Sequence, residues 1–212
     1  MQISLVHFAL ICINGGLGIA RHNEICDDII HLSKQVFSPN CMSREPLIHL
    51  GCSRSEEEVC HGGSIPETRG DMSIRGLWEI HIEAIIDVSF GDAYMETWKP
   101  VRIDKLLAVW EKNSKEKHGQ VCYYQQRHFP TFVLSVDGMM DKEALVVLAN
   151  LSQLMAAKTD EPILPITVWV NGWISIAVAR LYSRVICGAR SPSHLRTREL
   201  EWGSGFGLGL VQ

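Results

Sequence analysis

Two aspartates carry the first hint of chemistry. Asp71 stands in GDMSIRG, and Asp87 sits inside AIIDVSF, an apolar run where a strand normally holds no charge. Strand alternation puts Asp87 and Ser89 on one face, and Asp71, at the head of the preceding strand, is placed to lie beside them. Two carboxylates at one sheet edge repel, and burying them is costly unless something positive lies between. A divalent cation, Mg2+ or Mn2+, meets that need through hard oxygen ligands. The plainer alternative requires no metal: Asp71 caps a loop and Asp87 pairs with an arginine.

Acids joined by a lysine suit phosphodiester hydrolysis, and the pattern resembles nucleases of the PD-(D/E)xK type. There the acids bind metal, and the lysine orients water or offsets phosphate charge. The usual lysine position, two residues after the second acid, is Ser89 here. The segment IDKLLAVWEKNSKEKH offers Lys112, Lys115 and Lys117 instead. At 100° per residue, Leu106, Trp110, Asn113 and Lys117 share one helical face, and Lys112 and Lys115 point away. Lys117 is therefore the expected catalytic lysine, with Asp71 and Asp87 as metal ligands.

The elements that must position these residues follow from periodicity. NEICDDIIHLSKQVF places Ile25, Ile29, Leu32 and Val36 on one helical face, with Asn23 as N-cap. Ser38 to Gly70 is loop-like, and the acidic run Glu56 to Glu58 suits a solvated surface. A period of two runs from Trp78 to Phe90, paired with DMSI through a turn at Arg75 and Gly76. A helix then ends at Gly119, TFVLSVDG forms a strand, and Asp141 opens a helix to about Lys158. ITVWV reads as a last strand, and Asn171 as the cap of a helix ending at Gly188. Strands alternating with helices predict an α/β fold with a central, mostly mixed sheet flanked by helices.

Composition narrows the class. The chain has 212 residues, 46% hydrophobic and 21% charged, which suits one globular domain rather than a disordered chain. A net charge of −4 supplies no global positive field for nucleic acid, so such contact must come from local patches. Arg69, Arg75, Lys99, Arg102, Lys105 and Arg127 are the candidates for one. Seven cysteines, an odd number without a CxxC pair, favour reduced thiols inside a cell. The apolar start, MQISLVHFALICI, lacks a basic lead and a cleavage site and is too short to span a bilayer. The glycine-rich end, GSGFGLGLVQ, is expected to remain a flexible tail.

RHNEICDDI, GDMSIRGLW, IIDVSF, EKNSKEKH, QQRHF and FVLSVDG, in this order, resemble the restriction-enzyme-like endonuclease domain C-terminal to the reverse transcriptase of non-LTR retrotransposons. The resemblance spans Ile11 to about Arg190. It implies an active region of Arg21, His22 and Asn23, then Asp71, Asp87 and a helical lysine, Lys117 or, two residues upstream, Lys115. Gly70 stands where the family usually has proline. The implied function is nicking of double-stranded target DNA to prime reverse transcription, in the nucleus, with element RNA as a further partner and no membrane. Arg21, His22, Lys115 and Arg127 are the expected DNA contacts. The family also carries a CCHC zinc knuckle upstream; His7 and Cys12 match its second half, and zinc is not expected with the first half missing. Residues 1–20 then form half a knuckle and a linker, 21–190 the nuclease domain, and 191–212 the tail, as in a truncated copy of such an element. The rival expectation is a catalytically inactive nucleic-acid-binding or interaction module with the same fold.

Overall fold

The computed structural model describes residues 17–48, 68–91, 101–135 and 138–188. The acidic run, Lys99, His7 with Cys12, and the tail lie outside them. In chain order the elements are α1 (Leu17–Ser33), β1 (Met42–Arg44), β2 (Leu47–Ile48), β3 (Thr68–Arg69), β4 (Met72–Arg75), β5 (Glu83–Gly91), α2 (Ile103–Ser114), α3 (Gln120–Tyr124), β6 (Thr131–Ser135), α4 (Lys142–Thr159) and α5 (Ile163–Gly188). A π-helical turn, Lys115–Gly119, joins α2 to α3.

Four strands form one mixed sheet in the order β1-β4-β5-β6, antiparallel except for the parallel β5–β6 pair. The expected α/β class and mixed sheet are present. A separate two-stranded ladder pairs β2 with β3.

The period-two pattern decides which face of β5 is which. Ala84, Ile86, Val88 and Phe90 join Phe132 and Leu134 of β6 in the main core, with Ile25, Cys26 and Ile29 of α1 and apolar residues of α4 and α5. Glu83, Ile85, Asp87, Ser89 and Gly91 alternate onto the other face. There Ile85 packs with Ile48 and Cys122, and Trp110 of α2 lies over Gly91. A Cβ at Gly91 would fall 2.0 Å from the Trp110 ring, so only glycine admits the indole.

Four expectations about elements need correction. Asn23 is not an N-cap, because α1 begins at Leu17 and runs through it. The long strand starts at Glu83 rather than Trp78; residues from Gly76 to Ile82 make a wide turn closed by Gly76 N–H to the Ile82 carbonyl at 3.0 Å. Ile80, on the expected apolar face, is 82% exposed there. Gly119 does not stop its helix, since its φ of −61° and ψ of −39° are helical and the chain winds on to Tyr124. ITVWV is helix, not strand, and Asn171 lies inside α5. Val170, Ile174, Ala177, Val178 and Leu181 are buried at helical spacing, so tertiary burial overrides the β-branched run. Pro165 sits in the first turn of α5, where no hydrogen bond is lost.

α5 packs antiparallel to α1 through a polar clip as well as apolar contacts. Arg180 Nη2 donates to Asp28 Oδ2 at 2.9 Å, Trp173 Nε1 donates to Asp28 Oδ1 at 2.8 Å, and Arg184 reaches Glu24 at 2.5 Å. Burial raises the Glu24 pKa against the pull of Arg184 and Arg180. Ile163–Arg184 is also long and apolar enough to cross a membrane, by length and composition, and it leaves Leu164, Val168 and Ile176 exposed.

Candidate functional site

β4 and β5 bring the two aspartates together by register. Met72 is opposite Ile86 and Ser73 opposite Ile85, so the next step outward sets Asp71 opposite Asp87. The strands part at that point. Gly76–Ile82, Ile74–Ala84 and Met72–Ile86 follow alternate rungs, and Gly70 would be due to meet Val88 on the next. Instead Gly70 N–H bonds to the Pro46 carbonyl at 3.0 Å, as the chain turns toward the β2–β3 ladder. A Cβ at Gly70 would stand 2.4 Å from Ile85 Cγ2. Glycine at this position is thus required by the close approach to β5.

The Asp71 carboxylate supplies the missing rung. Its Oδ2 accepts from Val88 N–H at 2.6 Å and lies 3.1 Å from His22 Nε2. The hydrogen bond to Asp71 is the main cause that lifts the His22 pKa from 6.5 to about 10, aided by Cys26 and opposed by burial. His22 is therefore an imidazolium at neutral pH. Both contacts use one Asp71 oxygen, and Oδ1 has no partner among the described residues. Asp71 thus caps a backbone N–H within β5, whereas the plainer sequence alternative has it cap a loop.

Asp87 is treated differently. Its backbone N–H bonds to the Pro130 carbonyl at 3.3 Å, and it pairs with Thr131 across the parallel ladder. Among the described residues its half-buried carboxylate has no hydrogen bond and no ion pair, so no arginine offsets it. Two residues on, on the same face, the Ser89 hydroxyl oxygen is buried without a partner. An unpartnered carboxylate beside an unpartnered hydroxyl is costly unless a ligand or water completes them.

The helical lysine changes identity. Lys117 is exposed, against its expected inward position, and Lys115 is the lysine directed at the sheet. The buried side of α2 is set by Leu106, Leu107 and Ser114 with Asn113 exposed, and the π-turn at Lys115–Gly119 then shifts the phase of Lys117. Lys115 Nζ donates to Glu111 Oε1 at 2.7 Å and to Glu143 Oε1 at 2.5 Å. Burial disfavours its charge, but the bonds to Glu111 and Glu143 outweigh it and the pKa is raised. Lys112 faces outward as expected and pairs with Glu116.

Glu143 and Asp141 were not singled out as a site by sequence, and they cap the outer edge of β6. Thr131 N–H donates to Glu143 Oε2 at 2.9 Å, and the Thr131 hydroxyl donates to Asp141 Oδ2 at 3.0 Å. Asp141 Oδ1 accepts from Val133 N–H at 3.2 Å and, as N-cap of α4, from Ala144 N–H at 3.0 Å. Burial raises the Asp141 pKa despite these donors. The signal for Asp141 was legible as a helix cap; its second duty on the strand edge was not.

The expected DNA contacts all have internal engagements. Arg21 stacks over the Phe90 ring at 4.6 Å, His22 holds Asp71, and Lys115 holds two glutamates. Arg127 pairs with Glu83 at 3.2 Å and donates to the Leu47 carbonyl at 3.2 Å. Arg75, Lys105 and Lys117 carry no ion pair among the described residues.

Asp71 and Asp87 carry the hard oxygen donors that a divalent cation such as magnesium would take. Magnesium keeps several waters and needs only one or two carboxylates from the protein, supplied here by Asp71 Oδ1 and the Asp87 carboxylate. No cluster of three or more His, Cys, Asp or Glu side chains suited to a metal occurs among the described residues, so a fuller protein cage is not offered there. No protein-family model matches the chain, and no curated protein matches it.

Proposed function

We propose that this chain is a divalent-metal-dependent endodeoxyribonuclease with a restriction-endonuclease-like fold, of the kind that nicks target DNA for a retrotransposon. The observation that carries the reading is Asp87, a half-buried carboxylate without a partner among the described residues, one position past the end of the β4–β5 ladder that Asp71 precedes. Asp71 Oδ1 and Asp87 would hold the metal, and Ser89 would bind a water beside them. The bound cation supplies Lewis acidity at the scissile phosphate and a lowered water pKa. His22 and Val88 N–H fix the Asp71 carboxylate in place from its other oxygen. Lys115, held by Glu111 and Glu143 next to the strand neighbour of Asp87, takes the role first expected of Lys117: orienting water and offsetting phosphate charge. Arg75, Lys105 and Lys117, without ion pairs among the described residues, would meet the DNA backbone.

One observation favours a second reading, a non-catalytic DNA-binding or interaction module: the Asp71 carboxylate already has a structural task at Val88 and His22. Supercoiled-plasmid nicking in Mg2+ or Mn2+ and in EDTA separates the two. The nuclease reading expects metal-dependent nicks that vanish in Asp87→Ala and fall strongly in Lys115→Ala. Salt-sensitive DNA binding with no cleavage in either metal would establish the binding module instead.

A further inference from the structure

A second concavity lies at the start of β6, where Pro130 accepts from the Asp87 N–H at 3.3 Å. It is a cleft of about 350 Å³ lined by Trp78, Glu79, His128, Phe129, Pro130 and Glu143. The Trp78 and His128 rings stand 5.5 Å apart with their planes at 59°, so they form two walls rather than a stack. Phe129 adds a third aromatic surface and is braced edge-on by His118 at 5.9 Å. Glu79 stands at the open side, 62% exposed, with one oxygen 3.3 Å from His128 Nε2. Glu143 lines the wall toward α4, already satisfied by Lys115 and Thr131. No lysine or arginine is among the described residues that line the cleft.

We infer that this cleft is a binding site for an alkylammonium group, the head of a lysine side chain or its methylated form on a partner polypeptide. Aromatic faces attract a cation through their negative quadrupole, and a carboxylate at the mouth adds direct charge attraction. The same lining disfavours the alternatives. A phosphate would meet the carboxylates of Glu79 and Glu143, with no lysine or arginine among the described lining residues. Phosphocholine, the other common source of a quaternary ammonium, brings that phosphate with it. The inference does not depend on nuclease activity, since none of its aromatic residues contributes to the Asp71–Asp87 pair.

The test is an NMR titration of the full 15N-labelled chain, following the Trp78 indole N–H. The ligands are Nα-acetyl-Nε-trimethyl-lysine amide, phosphocholine, and 3,3-dimethylbutanol, the uncharged counterpart of choline. Saturable shifts at Trp78 with the lysine amide are expected, with the neutral alcohol binding roughly tenfold more weakly. Phosphocholine should bind more weakly than the lysine amide. Glu79→Gln, an exposed change that preserves shape, should weaken the lysine amide several-fold while the rest of the spectrum is unchanged. Trp78→Ala should abolish the response; if it disturbs the fold, Glu79→Gln decides. Equal binding of the neutral alcohol, tighter binding of phosphocholine, no effect of Glu79→Gln, or no response of wild type to the lysine amide would each overturn the inference.

Discussion

Carboxylates sit at two seams of the same sheet, and the sheet uses them in opposite ways. On the outer edge of β6, Asp141 and Glu143 cover the Thr131 and Val133 N–H groups, the α4 N-terminus and the Lys115 ammonium. Every oxygen there has a donor. At the β4–β5 seam, Asp71 spends one oxygen on Val88 and His22, and Asp87 spends none. A saturated cluster stabilises an edge strand by occupying groups that would otherwise pair with another chain. An unsaturated one costs stability and is retained where a ligand completes it. The contrast separates the structural carboxylates from the candidate functional ones, which burial alone does not do: Asp141 is the more buried of the two regions yet has no role in the chemistry proposed.

The contrast makes graded predictions about stability, to be measured by urea unfolding in EDTA. Asp141→Ala should have the largest effect, roughly 2–4 kcal/mol, because it removes a helix cap and strands the Val133 N–H. Glu143→Ala should cost about 1–2 kcal/mol through the orphaned Thr131 N–H and the loosened Lys115. At the other seam, His22→Gln should destabilise the fold at pH 6 through loss of the charged hydrogen bond to Asp71. Its pH dependence has a fixed sign. A histidine whose pKa rises from 6.5 to about 10 on folding contributes in full below pH 6.5 and loses that contribution as pH climbs through about 10. The gap between wild type and His22→Gln should therefore close above pH 10. Asp87→Asn should change stability least, within about 0.5 kcal/mol in either direction, because no partner is lost and some repulsion is relieved. A loss at Asp87 as large as that at Asp141 would erase the distinction between the seams.

Much of this arrangement was legible in the residues. The period-two run after Gly70 placed β4 beside β5, and with it Asp71 near Asp87. Asp141 announced α4 because its side chain, followed by an apolar helical face, is a cap signal independent of tertiary contacts. Lys115 was not legible as the inward lysine, because Leu107 and Ser114, rather than Asn113, set the buried side of α2. α5 was misread for a related reason: its β-branched ITVWV favours a strand locally, whereas burial against α1 and α4 is what makes it helical. The Glu143–Thr131 bond joins residues that only the turn between β6 and α4 brings together, so no spacing rule anticipates it. His22 came from the resemblance alone, as a DNA contact, and its bond to Asp71 needs the packing of α1 on the sheet.

The most direct test of the central claim is paramagnetic broadening by Mn2+ in the full chain without DNA. The account predicts that substoichiometric Mn2+ selectively broadens the amides of Asp71, Asp87 and Val88, that excess Mg2+ reverses the effect, and that Asp87→Asn abolishes it while leaving the spectrum folded. No broadening at Asp87 and Val88, or broadening there that Asp87→Asn leaves unchanged, would contradict it.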